Sequence, residues 1–364
     1  MISATQKPNC ANSTKRSSHR FSASRGRKRS RLWGQGLRKF LRWTAIAILG
    51  LALFIFANNT NLWSPADDGK PTLLAHRGVA QRYSPDGITN DTCTATRILA
   101  PKSEYLENTI ASMKAAYAAG ADIVEFDVHP TTDGQFAVFH DWTLDCRTDG
   151  KGVTREHSMA ELKALDIGYG YTADGGKTYP FRGKGLGLMP TLDEVLAAFP
   201  DKQLMINVKS NDPKEGELLA AALAKLDPKR RKAFIVYGGD RPVMEVKKRL
   251  PEIAVFSQES LKACLYPYIA YGWTGIMPGA CRDTALLVPI NVAPWLWGWP
   301  NRFLDRMEDA GTQVFALGPM RKGDGTAGVD SLEELDRLPQ DYSGGIWTNE
   351  IGLIADKLRT DGRL

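Results

Sequence analysis

No acidic residue appears in this 364-residue chain before Asp67, while residues 1–42 hold 12 of its 47 Lys and Arg. The formal charge of +6 therefore belongs to the leader, and the remainder carries 35 basic against 41 acidic residues, a balance of −6. A mildly acidic body does not suggest a basic face for nucleic acid, so no such partner is expected. Cysteine is scarce, at five residues, and no C-x-x-C pair marks a zinc site. No short-period repeat marks a solenoid. Histidine is also limited to five positions, so each one can be weighed individually.

The leader, residues 1–42, is rich in Ser and Arg, has little to bury and reads as a disordered tail. Next comes TAIAILGLALFIFA at 44–57, uncharged and almost wholly apolar. With Trp43 and the uncharged residues up to Trp63 it approaches the roughly 20 residues of a spanning helix. A cleaved signal peptide has an apolar core of similar length. The long basic leader and the lack of a clear A-x-A site favour an uncleaved anchor over residues 43–63. The positive-inside rule then keeps the N-terminus in the cytoplasm, which makes a single-pass membrane protein. The domain after Trp63 would be extracytoplasmic, and periplasmic in a Gram-negative bacterium. Cys93, Cys146, Cys264 and Cys281 form an even set in that domain, as an oxidising compartment allows. Four cysteines permit three pairings, and proximity favours Cys264 with Cys281 and Cys93 with Cys146.

From residue 71 to 364 strand-like and helix-like segments alternate: TLLAHRG, TIASMKAAYAAG, ADIVEFDVHP, QFAVFHDW, TLDEVLAAF, QLMINVK, and so on to GGIWTNEI. Alternating units imply a parallel sheet. Their number suggests an α/β fold of the TIM (β/α)8 barrel type, with a doubly wound sheet as runner-up. Insertions at 79–106 and 145–189 follow strands that end in polar residues, which places them on the C-terminal face of a barrel.

Polar residues gather at those strand ends. In IVEFDVHP, Glu125, Asp127 and His129 occupy alternate positions and so share one face. Two buried carboxylates side by side repel and lose hydration, which calls for compensation. A divalent cation would supply it, with Glu125 and Asp127 as hard oxygen ligands. His76 and His140 have the right chemistry for a general base and a general acid. Arg77 and Lys209 add positive charge for a phosphate. Together these describe phosphoester cleavage. His129 reads as structural, His157 as a helix-start surface residue, and His19 lies in the tail. The GKGLG run at 183–187 reads as a flexible lid. In WLWGWPN, Trp295, Trp297 and Trp299 are two apart, as on one strand face, and suit either packing or a lipid-facing or headgroup-binding wall.

The motifs AHRG at 75–78, ENT at 107–109, GADIVEFDVHPTTDG at 120–134, HDWTLDCRTDGKG from His140, MPTLDEVL from Met189 and GGIWTNE near the end resemble the glycerophosphodiester phosphodiesterase family. The resemblance implies a TIM barrel that hydrolyses glycerophosphodiesters to an alcohol and glycerol 3-phosphate with bound Ca2+ or Mg2+. It implies His76 and His140 as the acid/base pair, Arg77 and Lys209 as phosphate contacts, and Glu125 and Asp127 as metal ligands. The family's E-[IV]-K motif here reads N-V-K, which puts Asn207 at the third ligand position and makes Ca2+ the expected ion ahead of Mg2+. The family's terminal T-D reads Thr348-Asn349. A lysophospholipid-cleaving phospholipase D-like enzyme, or a non-catalytic lipid- or phosphate-binding module, is the alternative reading.

Overall fold

A computed structural model describes residues 23–64 (side chains from residue 36), 70–84, 87–88, 92–320 and 327–364. The chain divides into two compact units, one ending at Ala57 and the other spanning Asn58–Leu364. The expectation of disorder for residues 1–22 lies outside the described residues.

The first unit contains most of the helix Ala23–Asn59. Disorder was expected as far as residue 42, yet the helix already runs through residues 23–42. Arg, Lys, Leu and Ala are good helix formers, and a helix once nucleated propagates cheaply through them. The segment Gly36–Asn59, 24 residues that include an 18-residue stretch of mean hydropathy 2.1, is long and apolar enough to cross a membrane. The helix ends at Asn59 rather than Trp63. Asn61–Trp63 forms a separate 3-10 turn, with the Thr60 hydroxyl accepting from the Leu62 N–H.

The second unit is the expected barrel. Its strands are β1 (Thr72–His76), β2 (Ile123–Pro130), β3 (Phe136–Val138), β4 (Gln203–Val208), β5 (Phe234–Gly238), β6 (Ala254–Ser257), β7 (Ala285–Pro289), β8 (Gln313–Leu317) and β9 (Gly345–Thr348). Eight run parallel in the order β6-β5-β4-β2-β1-β9-β8-β7, a nearly closed barrel. The exception is β3, which folds back antiparallel on β2, so QFAVFHDW extends a hairpin and contributes no barrel stave.

Side-chain alternation builds two apolar layers. Leu73, Val124, Phe126, Leu204 and Ile206 point outward beneath the helices. Leu74, Ile123, Met205, Ile235, Phe315 and Trp347 fill the interior. Along β1, β2, β4 and β5 the next inward positions toward the C-terminal end are His76, Glu125, Asp127, Asn207 and Tyr237. The registers set His76 beside Glu125 and Asp127 beside Asn207, with Asn207 in turn beside Tyr237. The polar row thus sits directly on an apolar floor. The two insertions share a satellite core with the segment that follows β3, including Leu106, Phe139, Leu144, Ile167, Tyr171 and Phe181. The Cys93–Cys146 disulfide ties them together, and Cys264–Cys281 is the second bridge, as proximity predicted.

Candidate active site

The turn after β1 determines much of the site. Arg77 takes the left-handed conformation at φ 59°, a strained choice for a residue with a Cβ. Gly78 follows at φ 78°, where an added Cβ would meet Ser112 backbone at 2.8 Å, so only glycine fits. This turn aims the Arg77 N–H at Glu125 Oε2, 3.2 Å away. The Arg77 side chain folds back over β2, with Nε 3.2 Å from Asp127 Oδ2 and an N–H donated to Glu107 Oε1 at 2.9 Å.

The two carboxylates differ in how they are compensated. Asp127 is surrounded by donors: Asn108 Nδ2 and Asn207 Nδ2 at 2.9 Å each and Lys209 Nζ at 3.3 Å, with Arg77 alongside. Burial alone would raise its pKa, but Lys209 and Arg77 outweigh that and hold it well below the usual carboxylate range. Glu125 accepts only neutral partners, the Arg77 N–H and the Tyr237 hydroxyl at 2.7 Å. Burial, and then repulsion from Asp127, push it up to about 8. One acid is therefore neutralised by side chains, and the other lacks a cation of its own.

That imbalance fits a hard divalent ion. The donors available are two carboxylates and the Asn207 amide, all oxygen ligands of the kind such ions take. Among the described residues no group of three His, Cys, Asp or Glu is arranged for a metal. Asn207 turns its nitrogen toward Asp127. The opposite amide orientation would present oxygen to the same point.

His76 and His140 each have Nδ1 engaged. His76 Nδ1 lies 2.7 Å from Asn349 Oδ1. The assignment of that amide follows from Asp330, which accepts from Asn349 Nδ2 and from the Asn349 backbone N–H, both at 2.7 Å. A carboxylate fixes which end of the amide is nitrogen, so the oxygen faces His76 and Nδ1 must carry the proton. Nε2 is left as the basic nitrogen, 3.7 Å from Glu125 Oε2. Burial over Trp347, whose ring centroid is 5.1 Å away, and the nearby Arg77 push His76 down to about 3.

His140 Nδ1 sits 2.6 Å from Asp141 Oδ1 instead, which again leaves Nε2 free. Behind it runs a chain of alternating charge. Asp141 pairs with Arg147 at 2.9 Å, Arg147 with Glu107 at 3.0 Å, and Glu107 with Arg77 at 2.9 Å. The Asp141 carboxyl is held below its usual range, since Arg147 and the His140 contact outweigh the cost of burial. Both histidines lie close enough to Asp127 to help depress its pKa.

A family model, the glycerophosphoryl diester phosphodiesterase family, matches residues 76–271, just over half of the chain. The chain belongs to that family. A glycerophosphodiester phosphodiesterase of Bacillus subtilis is 34% identical over 194 residues, covering 50% of this chain and 56% of the relative. The chain spans about half or less of the length of the first curated relatives it matches. The glycerophosphoryl diester phosphodiesterase domain of Rv2277c from Mycobacterium tuberculosis has TM-score 0.57 at 16% identity, covering 79% of this chain and 99% of that one. A phosphodiesterase from Oleispira antarctica, solved with sn-glycerol-3-phosphate, has TM-score 0.50 at 20% identity, covering 80% and 97%. These structures share the barrel fold.

Within this family member, His76, Arg77, Glu125, Asp127, Asn207 and Lys209 converge at one end of the barrel, and His140 joins them from the loop after β3. Two other expectations are corrected. The 183–187 run is no flexible lid: Asp166 accepts from the N–H groups of Gly183, Gly185 and Gly168, which pins it. The three tryptophans share no strand face, because 293–295 is a 3-10 turn. Trp295 is exposed, Trp297 donates to Ile269 O, and Trp299 packs on Phe303 and Tyr342. His129 is buried with Nε2 3.4 Å from the His140 carbonyl, consistent with a structural role, and His157 caps Lys151 O. Sequence reasoning missed Arg147, Tyr237 and Asp330. Tyr237 was readable, as it alternates with inward Ile235 in AFIVYG. Nothing local marked Asp330, which lies 19 residues before its partner.

Proposed function

We propose that this protein hydrolyses glycerophosphodiesters to an alcohol and glycerol 3-phosphate. The observation that supports it best is the pair of histidines, each with Nδ1 tied back and Nε2 free, around a rim that also holds Arg77, Lys209 and two carboxylates. A binding module has no need of two preset imidazoles. Glu125, Asp127 and Asn207 would hold a divalent cation, which supplies positive charge to the phosphoryl oxygens. Arg77 and Lys209 orient the phosphate and stabilise the same oxygens. His76, backed by a neutral amide, takes the proton of the attacking water as its oxygen bonds to phosphorus. Burial, Arg77 and Lys209 lower the pKa of His140 while Asp127 and Asp141 oppose them, and His140 gives its proton to the departing alkoxide as the P–O bond breaks.

The neutral amide at Asn207 removes one charge from the ligand set, and Ca2+, with its looser geometry, suits this better than Mg2+. Chelation followed by titration with each ion tests this: activity restored at lower Ca2+ than Mg2+ is expected, and a strict Mg2+ requirement overturns it. Release of glycerol 3-phosphate from glycerophosphocholine tests the reaction, and no release from any diester in a panel overturns it. A lysophospholipid substrate is the second reading, favoured by the apolar Gly36–Asn59 helix. The basic leader in the cytoplasm and the disulfide-bonded barrel outside it complete the proposal. Protease digestion of intact and permeabilised cells checks the orientation.

A further inference from the structure

We propose that the flank of the barrel unit around the helix Gln258–Tyr271 is a second membrane contact, seated in the headgroup region of a lipid bilayer. It rests on the reading of Gly36–Asn59 as a membrane span.

The first observation is a gap in charge. No charged residue occurs between Lys262 and Arg282 or between Asp283 and Arg302, although 24% of the chain is charged. Yet this region is not hidden. Tyr266 is 66% exposed, Ile276 63% and Trp295 75%. Tyr266 and Ile269 stand three apart on the helix and share a face.

The exposed groups are held in place rather than frayed. Cys264 is bonded to Cys281, which anchors the segment carrying Ile276. The Trp297 indole N–H donates to Ile269 O at 2.8 Å, and the Tyr268 hydroxyl to Trp297 O at 2.8 Å. Those bonds lay the loop that carries Trp295 against the helix. Exposed apolar surface on a well-packed scaffold marks a contact site. Tyr and Trp, with apolar rings and one polar end, are the residues that settle at a membrane–water boundary.

The occupant is indicated by where the chain enters this unit. Asn58 and Asn59 both donate to Trp273 O at 2.9 Å, and Asn61 to Trp299 O at 3.2 Å. Arg306 donates to Asn58 O at 2.7 Å. The residues that leave the span are thus bonded into the same flank, and Trp63, 70% exposed, lies just beyond. A residue spans at most about 3.5 Å, so a bilayer containing the helix ends close to this surface. A protein partner would have no such reason to sit at the exit of a span.

The full chain, reconstituted in phosphatidylcholine–phosphatidylglycerol nanodiscs with a diazirine-bearing phosphatidylcholine, tests this by photolabelling and peptide mapping. Adducts are expected on the peptides carrying Tyr266, Ile276 and Trp295 as well as in Gly36–Asn59. Flank labelling should fall about tenfold in the Y266S/I276S/W295S variant while span labelling and circular dichroism are unchanged. Adducts confined to the span overturn the flank contact and leave the span standing. A labelled flank beside an unlabelled span upholds the contact and removes the span. No adducts anywhere overturns both.

Discussion

His76 and His140 reach the same geometry by two differently built surroundings. On the His140 side a carboxylate holds the ring, and Arg147, Glu107 and Arg77 continue an unbroken alternation of charge back to Asp127. On the His76 side a neutral amide holds the ring, and the carboxylate, Asp330, stands one residue further out. Both arrangements fix Nδ1 as the protonated nitrogen. Only the first places a carboxylate on Nδ1 itself, where it favours an imidazolium. Orientation and charge are thus separable contributions, and this barrel uses them separately on its two histidines.

Removing either ring tests the part the two sides share. His76→Ala and His140→Ala should each lower kcat by about 10²–10⁴ with unchanged circular dichroism, and turnover near wild type in either removes the acid/base assignment. The difference between the sides is read from their supports. Asp141→Asn should cost about 100-fold, because it removes the charge and leaves one amide oxygen for both His140 and Arg147, whereas Asp330→Asn should cost about 10-fold through loss of amide orientation. Equal losses would erase the distinction.

The charged chain also carries stability. Arg147→Met leaves the largely enclosed Asp141 without its cation and the buried Glu107 with Arg77 alone, and should cost about 3–5 kcal/mol in denaturant unfolding at neutral pH. Both carboxylates are held below their ordinary pKa, so their stabilisation is present above about pH 4 and is lost as pH falls through the folded values. The gap between variant and wild type should therefore close in acid. A gap independent of pH would mean that lost packing, not charge, is what was measured.

The disulfides give the smallest contrast. Cys93–Cys146 closes a separation of 53 residues and Cys264–Cys281 one of 17. Replacing each pair by serine should cost about 4 and 3 kcal/mol respectively. Activity should fall further in the first, because Cys146 adjoins Arg147, and equal activity in both would detach the insertions from the site.

Much of the site was legible because β-strand periodicity is a local property. Glu125 and Asp127 had to share a face once IVEFDVHP was a strand, and alternation alone brought Asn207 and Lys209 to the same side. The tryptophan run misled for the converse reason. Period two has meaning only in a strand, and the 3-10 turn at 293–295 sends its three rings apart. The glycines of 183–187 were misread similarly, since a flexible composition says nothing about a distant Asp166 that captures their N–H groups.

Residue order by itself determined the barrel, the inward polar row, the apolar helix and the family, because each is written in short-range pattern. Only tertiary structure decided which acid is neutralised and which histidine leans on charge. Those outcomes depend on Arg147, Tyr237 and Asp330, which the fold brings to 3.0 Å from Glu107, 2.7 Å from Glu125 and 2.7 Å from Asn349. Electrostatics in a buried site acts over distances in space, and separation along the chain does not encode them.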